Sequence, residues 1–149
     1  MPTFASLKLK RNNDYNVVNF GDSEIHVLKY LPIEDKIDLI DMALANSKEV
    51  NGLYNDLKLE QFFNLYIIYY YTNLTFTEKQ KEDESKLYDL MQANELIINV
   101  LGAMDEDEYD FLRSELDEVK NSRERYMCSA GALMQSMIQD LPRNAAAAA

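Results

Sequence analysis

From Tyr109 onward, apolar or small residues recur at alternating intervals of three and four. The series runs Tyr109, Leu112, Leu116, Val119, Tyr126, Ala130, Leu133 and Met137, with Arg123 as its one charged member. Such spacing puts every member on one side of an α-helix. Asp105 and Glu108 stand three apart at its start, as in a capping box, and Asp105, Glu106, Asp107, Glu108 and Asp110 suit the positive end of a helix. Pro142 is its expected end. A helix of about 35 residues would be ~50 Å long. A rod of that length either spans an extended bundle or carries part of its stripe to a partner.

Upstream, the pattern divides into shorter pieces. Tyr15 to Phe20 and Glu24 to Tyr30 are rich in Val, Ile and aromatics. Gly21, Asp22 and Ser23 separate them, which predicts a β-hairpin with a three- or four-residue connection. Ile25 and Val27 would share one face of the second strand, and His26 and Leu28 the other. Pro32 opens a helix from Ile33 to about Ser47, with Ile33, Ile37, Ile40 and Leu44 as its apolar stripe. The segment from Lys58 to Asn73 is apolar around well over half its circumference, as expected of a central helix. Tyr69, Tyr70 and Tyr71 cannot all face inward, and their hydroxyls need partners when buried. Thr77 and Gln80 form a capping box for a helix running through Leu87, Leu90 and Met91. A short helix with Leu96, Ile97, Val100 and Leu101 follows, stopped by Gly102. The expected fold is mainly α: a bundle of three to five helices with an N-terminal β-hairpin. Residues 1–31 form the hairpin arm and 32–144 the helical domain, while the alanine tail 145–149 is left out of the fold argument.

Charge narrows the function. The chain has 26 acidic and 15 basic residues, a formal net charge of −11. Such a chain repels phosphate backbones and anionic membranes, so neither direct nucleic-acid binding nor a membrane role is expected. The densest apolar run, Leu65 to Tyr71, is far shorter than the ~20 residues that a bilayer span needs, and Met1 to Leu9 lacks the pattern of a secretion signal. Cys128 is the only cysteine, which fits a reducing compartment and offers no thiolate metal cluster.

Candidate chemistry is sparse. The glycines, at 21, 52, 102 and 131, are too far apart for a phosphate loop. Asp105, Asp107 and Glu108 are the best carboxylates for a hard cation, yet helix capping accounts for the same residues without one. His26 reads as a half-buried strand residue with no nucleophile motif to serve. Cys128 reads as a packing residue of the core or an interface. Met127, Met134 and Met137 lie beside Ala130, Gly131 and Ala132, a mixture that suits close helix packing or an adaptable binding surface. No catalytic, cofactor-binding or metal residue is therefore expected, and no small-molecule substrate.

Three stretches carry a family resemblance: Tyr30-Leu31-Pro32-Ile33-Glu34-Asp35-Lys36, Phe62-Phe63-Asn64-Leu65, and Tyr71-Thr72-Asn73-Leu74 leading into Phe76-Thr77-Glu78-Lys79-Gln80. With them the chain, over most of its length before Asn144, resembles small tailed-bacteriophage proteins found in phages and prophages of Gram-positive bacteria. The resemblance implies a virion or assembly protein, such as a head or tail component or a tail-assembly chaperone. Its partners would be other phage structural proteins or further copies of itself, and its location the virion or the host cytoplasm during assembly. The alternative expectation is an acidic inhibitor that imitates nucleic acid against a host nuclease or defence complex.

Overall fold

A computed structural model describes the backbone of residues 1–148 and the side chains of residues 1–131 and of residue 134. The fold is mainly helical, with six helices preceded by an antiparallel hairpin. After a single 3-10 turn at Ala5–Leu7, β1 spans Tyr15–Phe20 and β2 spans Ser23–Leu28. Phe20 lies opposite Ser23, so only Gly21 and Asp22 form the turn, shorter than the expected connection. Gly21 sits at φ 61 and Asp22 does not share that sign, which is the II′ pattern matching the twist of paired strands.

The hairpin is built into the core. Ile25 and Val27 are buried and His26 and Leu28 half-buried, as alternation predicts. Val27 pairs with Thr72, and the Asn16 side-chain amide donates to the Ala103 carbonyl at 2.8 Å. A two-stranded ribbon is marginal alone, and these contacts fix it to the helices.

Helix α1 (Ile33–Ser47) has the expected bounds and half of the expected buried stripe, Ile40 and Leu44. Lys36, Leu39, Ile40, Ala43, Leu44 and Ser47 are buried, while Ile33 and Ile37 are 51% and 53% exposed. The buried face is thus rotated away from the predicted stripe. An ion pair at Lys36 draws a charged position inward, and apolarity alone does not reveal it.

Helix α2 (Asp56–Tyr71) is the central one, with Leu59, Phe63, Leu65, Tyr66, Ile67, Ile68 and Tyr71 buried. It packs against α1, β2 and two later helices. Asn55 caps it by accepting the Lys58 N–H at 3.0 Å, earlier than predicted. It ends at Tyr71 because Thr72 turns extended to meet Val27.

The capping box at Thr77 is present, with Gln80 N–H donating to Thr77 Oγ1 at 3.2 Å and Thr77 N–H to Gln80 Oε1 at 2.8 Å. Its helix, α3 (Glu78–Lys81), lasts only one turn. Asp83 leaves helical geometry and caps a new helix, α4 (Glu84–Ala93), by accepting the Lys86 N–H. The single helix predicted here is therefore two. Next comes α5 (Leu96–Ala103), which includes Gly102. Finally α6 runs from Glu106 to Ala148, about 65 Å at the usual rise. It passes Pro142, the expected stop.

The corrected face of α1 gives a direct test. Leu39→Ala should lower unfolding free energy in urea by about 2–5 kcal/mol, while Ile37→Ala should change it by less than about 0.5 kcal/mol. Equal losses would restore the predicted stripe.

Candidate functional site: docking faces around a buried ionic cluster

Glu108 does not complete a capping box. Asp105 caps α6 by accepting the Asp107 N–H at 3.1 Å, while both oxygens of Glu108 turn into the protein. Lys36 Nζ donates to Oε1 at 2.8 Å. Tyr71 donates its hydroxyl to Oε2 at 2.7 Å, and the Leu31 N–H reaches the same oxygen at 3.3 Å. One buried carboxylate thus ties the hairpin exit, α1, α2 and α6 together. The Lys36 ammonium lies 4.1 Å from the Tyr30 ring centroid and 5.1 Å from that of Phe111, which shields its charge.

This cluster holds the fold together. Of the five clefts described, none is lined by Lys36, Tyr71 or Glu108. Among the described residues no group of three or more His, Cys, Asp or Glu side chains is placed to hold a metal ion. Asp105, Asp107 and Glu108 are divided instead between a helix cap and the core. His26 stacks on Tyr15 at 4.0 Å, and its Nε2 lies 3.0 Å from Glu24 Oε1.

The three consecutive tyrosines find separate partners. Besides Tyr71, the Tyr69 hydroxyl donates to Glu84 at 3.1 Å, and that of Tyr70 approaches Met42 Sδ at 3.5 Å. Burial, and then the bond to Glu108, keeps Tyr71 protonated far above the ordinary tyrosine range. Burial and the charge of Glu84 push Tyr66 up to about 12, and the same causes raise Tyr69.

The first turns of α6 are fastened to the body. Leu112 and Leu116 are buried, and Val119 packs on the core. Ion pairs continue the attachment: Arg113 to Glu60 at 2.7 Å, Lys120 to Asp56 at 2.7 Å and Arg123 to Asp41 at 2.9 Å. Met127 closes against Gly52, where an added Cβ would meet its Cε at 2.5 Å. Gly52 also holds φ 84, so both the turn and the contact call for glycine.

Around and beyond Met127 the described side chains open to solvent. Tyr126 is 74% exposed and Met134 61%. Cys128 is exposed as well, not packed in the core. Leu133 and Met137 of the expected stripe lie outside the described side chains. Sequence reasoning passed over one signal here. No residue from Tyr126 to Gln139 is charged, whereas Asp105 to Arg125 holds thirteen charged residues. A densely charged stretch and a charge-free one thus follow each other on one helix.

These features define a mainly helical protein whose hairpin shares its core and whose last helix carries a charge-free stretch. No family model, curated protein or solved structure matches the chain. Among the described residues no helix is long and apolar enough to cross a membrane.

Two outcomes follow from the cluster. Glu108→Gln should cost about 3–5 kcal/mol in urea unfolding, because it strands a buried ammonium. Pairing Lys36→Met with Glu108→Leu should recover part of that loss, and no recovery would argue against the stranded charge as the cause. The tyrosines predict an alkaline limit. An unfolded chain releases these protons near 10.0 while the folded one keeps them, so stability is complete below that pH and falls above it. Urea midpoints should be level up to about pH 9 and decline beyond pH 10, with a shallower decline in Tyr71→Phe.

Proposed function

We propose that this chain is a structural or assembly protein of a tailed bacteriophage, a head or tail component or a tail-assembly chaperone, that acts by binding other proteins. The observation carrying this reading is the neutral stretch of α6, with Tyr126 and Met134 exposed on a helix whose preceding turns are fastened to the body. A helix without charge on any side suits burial against a protein surface. Methionine and tyrosine supply adaptable contact area there, and small residues allow close approach. The resemblance of the earlier segments to tailed-phage proteins supplies the setting.

The acidic-inhibitor reading draws on the net charge alone. It needs a broad face of uncommitted carboxylates, yet several are engaged within the chain. Glu108 binds Lys36, Glu60 binds Arg113, Asp41 binds Arg123, and Asp56 and Glu124 share Lys120. Docking through the neutral helix is the reading we favour, because it also accounts for the exposed Tyr126 and Met134. Catalysis has no such observation behind it.

The test is affinity purification of the tagged chain from cells in which the phage is assembling, at low and high salt. Head or tail proteins should copurify and persist in high salt, because the contact is apolar. Tyr126→Glu with Met134→Glu should abolish the capture and leave the melting temperature unchanged. Recovery of a host nuclease alone, lost in high salt, would replace this reading with the inhibitor.

A further inference from the structure

The N-terminal arm carries the opposite charge from the rest of the molecule. Residues 1–13 contain Lys8, Lys10 and Arg11 and no acid, in a chain of net charge −11. Phe4, Leu7 and Leu9 on the same arm are exposed. Every residue from Met1 to Asp14 is exposed, and only the root of the arm, Arg11 to Asn13, meets Leu28, Tyr30, Pro32 and Ile33 of the body in a described cleft. Among the described residues none of its three cations forms an ion pair.

A surface with the complementary character lies where the arm is rooted. Tyr30, Pro32 and Ile33 line a cleft of about 380 Å³ together with Leu28, and Arg11 to Asn13 cross its rim. Exposed Ile37 follows Ile33 by one turn of α1. Phe111, also exposed, faces Tyr30 across the Lys36 ammonium. Acids border this apolar patch from both helices. Glu34 stands one turn before Ile37 on α1, while Asp107 and Glu115 lie one turn either side of Phe111 on α6. None of the three is in an ion pair among the described residues.

We infer that this patch receives the N-terminal arm of a second copy of the chain, and that two copies exchange arms reciprocally. Apolar side chains on the arm match the apolar patch, and its cations match the acidic border. Elsewhere two such acidic bodies repel each other. Because each arm leaves its body at the rim of the patch, two copies placed patch to patch pass each arm across a short gap. The resulting contact is isologous and closes at a dimer. Its own arm, although tethered at the rim, leaves the patch uncovered in the single chain. The surface is separate from the neutral stretch of α6, so loss of either contact leaves the other intact.

Sedimentation velocity on the full chain over a wide concentration range tests this. The unaltered protein should pass from monomer to dimer, more weakly in high salt. The triple variant Phe4→Ser, Leu7→Ser, Leu9→Ser should weaken dimerisation at least about tenfold with an unchanged circular dichroism spectrum, since those side chains lie outside the core. Lys8→Glu with Lys10→Glu should weaken it too, and adding Glu34→Lys with Glu115→Lys should restore it. A monomer at every concentration would overturn the inference, whether its arm is free or protected from protease by folding back on its own patch. So would a dimer indifferent to the arm variants.

Discussion

The buried carboxylate of Glu108 is the point on which this architecture turns. It touches the hairpin exit through the Leu31 N–H, α1 through Lys36 and α2 through Tyr71, while itself belonging to α6. Removing two opposite charges from water is costly, and their mutual attraction repays that only with good geometry and further hydrogen bonds. Here the geometry is short and the second oxygen is doubly bonded. An apolar cluster of similar volume could match this in stability. It would not select one rotational setting of α1 against α6 as sharply, since apolar side chains slide past one another and a lysine pointing elsewhere would strand a charge.

That selection explains where sequence patterning succeeds and fails. The hairpin alternation, the bounds of α1, the apolar girth of α2 and the start of α6 are all legible, because each follows from local periodicity or capping chemistry. The buried face of α1 is not. Ile33 and Ile37 look like core residues and Lys36 like surface, yet the pair with Glu108, 72 residues away, reverses them. Glu108 itself is hidden by a competing local explanation, for its position three after Asp105 mimics a capping box. Asp83 misleads in the opposite sense. It sits within an apparently continuous helix, and only its extended geometry shows that it ends one helix and caps the next.

The exposed apolar surfaces were partly legible for the same reason. The length of α6 and its methionines stand out in the sequence, whereas the patch of Tyr30, Ile33, Ile37 and Phe111 emerges only once the core has claimed other residues. Charge is then seen to be segregated: a basic arm, an acidic body fastened by internal ion pairs, and a neutral distal stretch. Uniformly spread, the same net charge would favour a solitary soluble particle. Segregated, it leaves defined places where another protein can approach without meeting a field of like sign.

The period of the α6 stripe shows how one helix can serve both its own core and a neighbour. Intervals of three and four average 3.5 residues per turn, while a straight α-helix has about 3.6, so the stripe drifts by about 20° per heptad. Between Leu112 and Leu133 there are three heptads, hence a rotation of about 60° in a straight rod. A stripe facing the core at Leu112 and Leu116 therefore swings progressively off it. Arg123, the charged member, falls at the change-over and pairs with Asp41 at the surface of α1. Beyond it Tyr126 is exposed although it continues the same series. Met127, on another side of the helix, still packs on Gly52 past that point, so the body stays in contact with α6 while the drifting stripe itself turns to solvent.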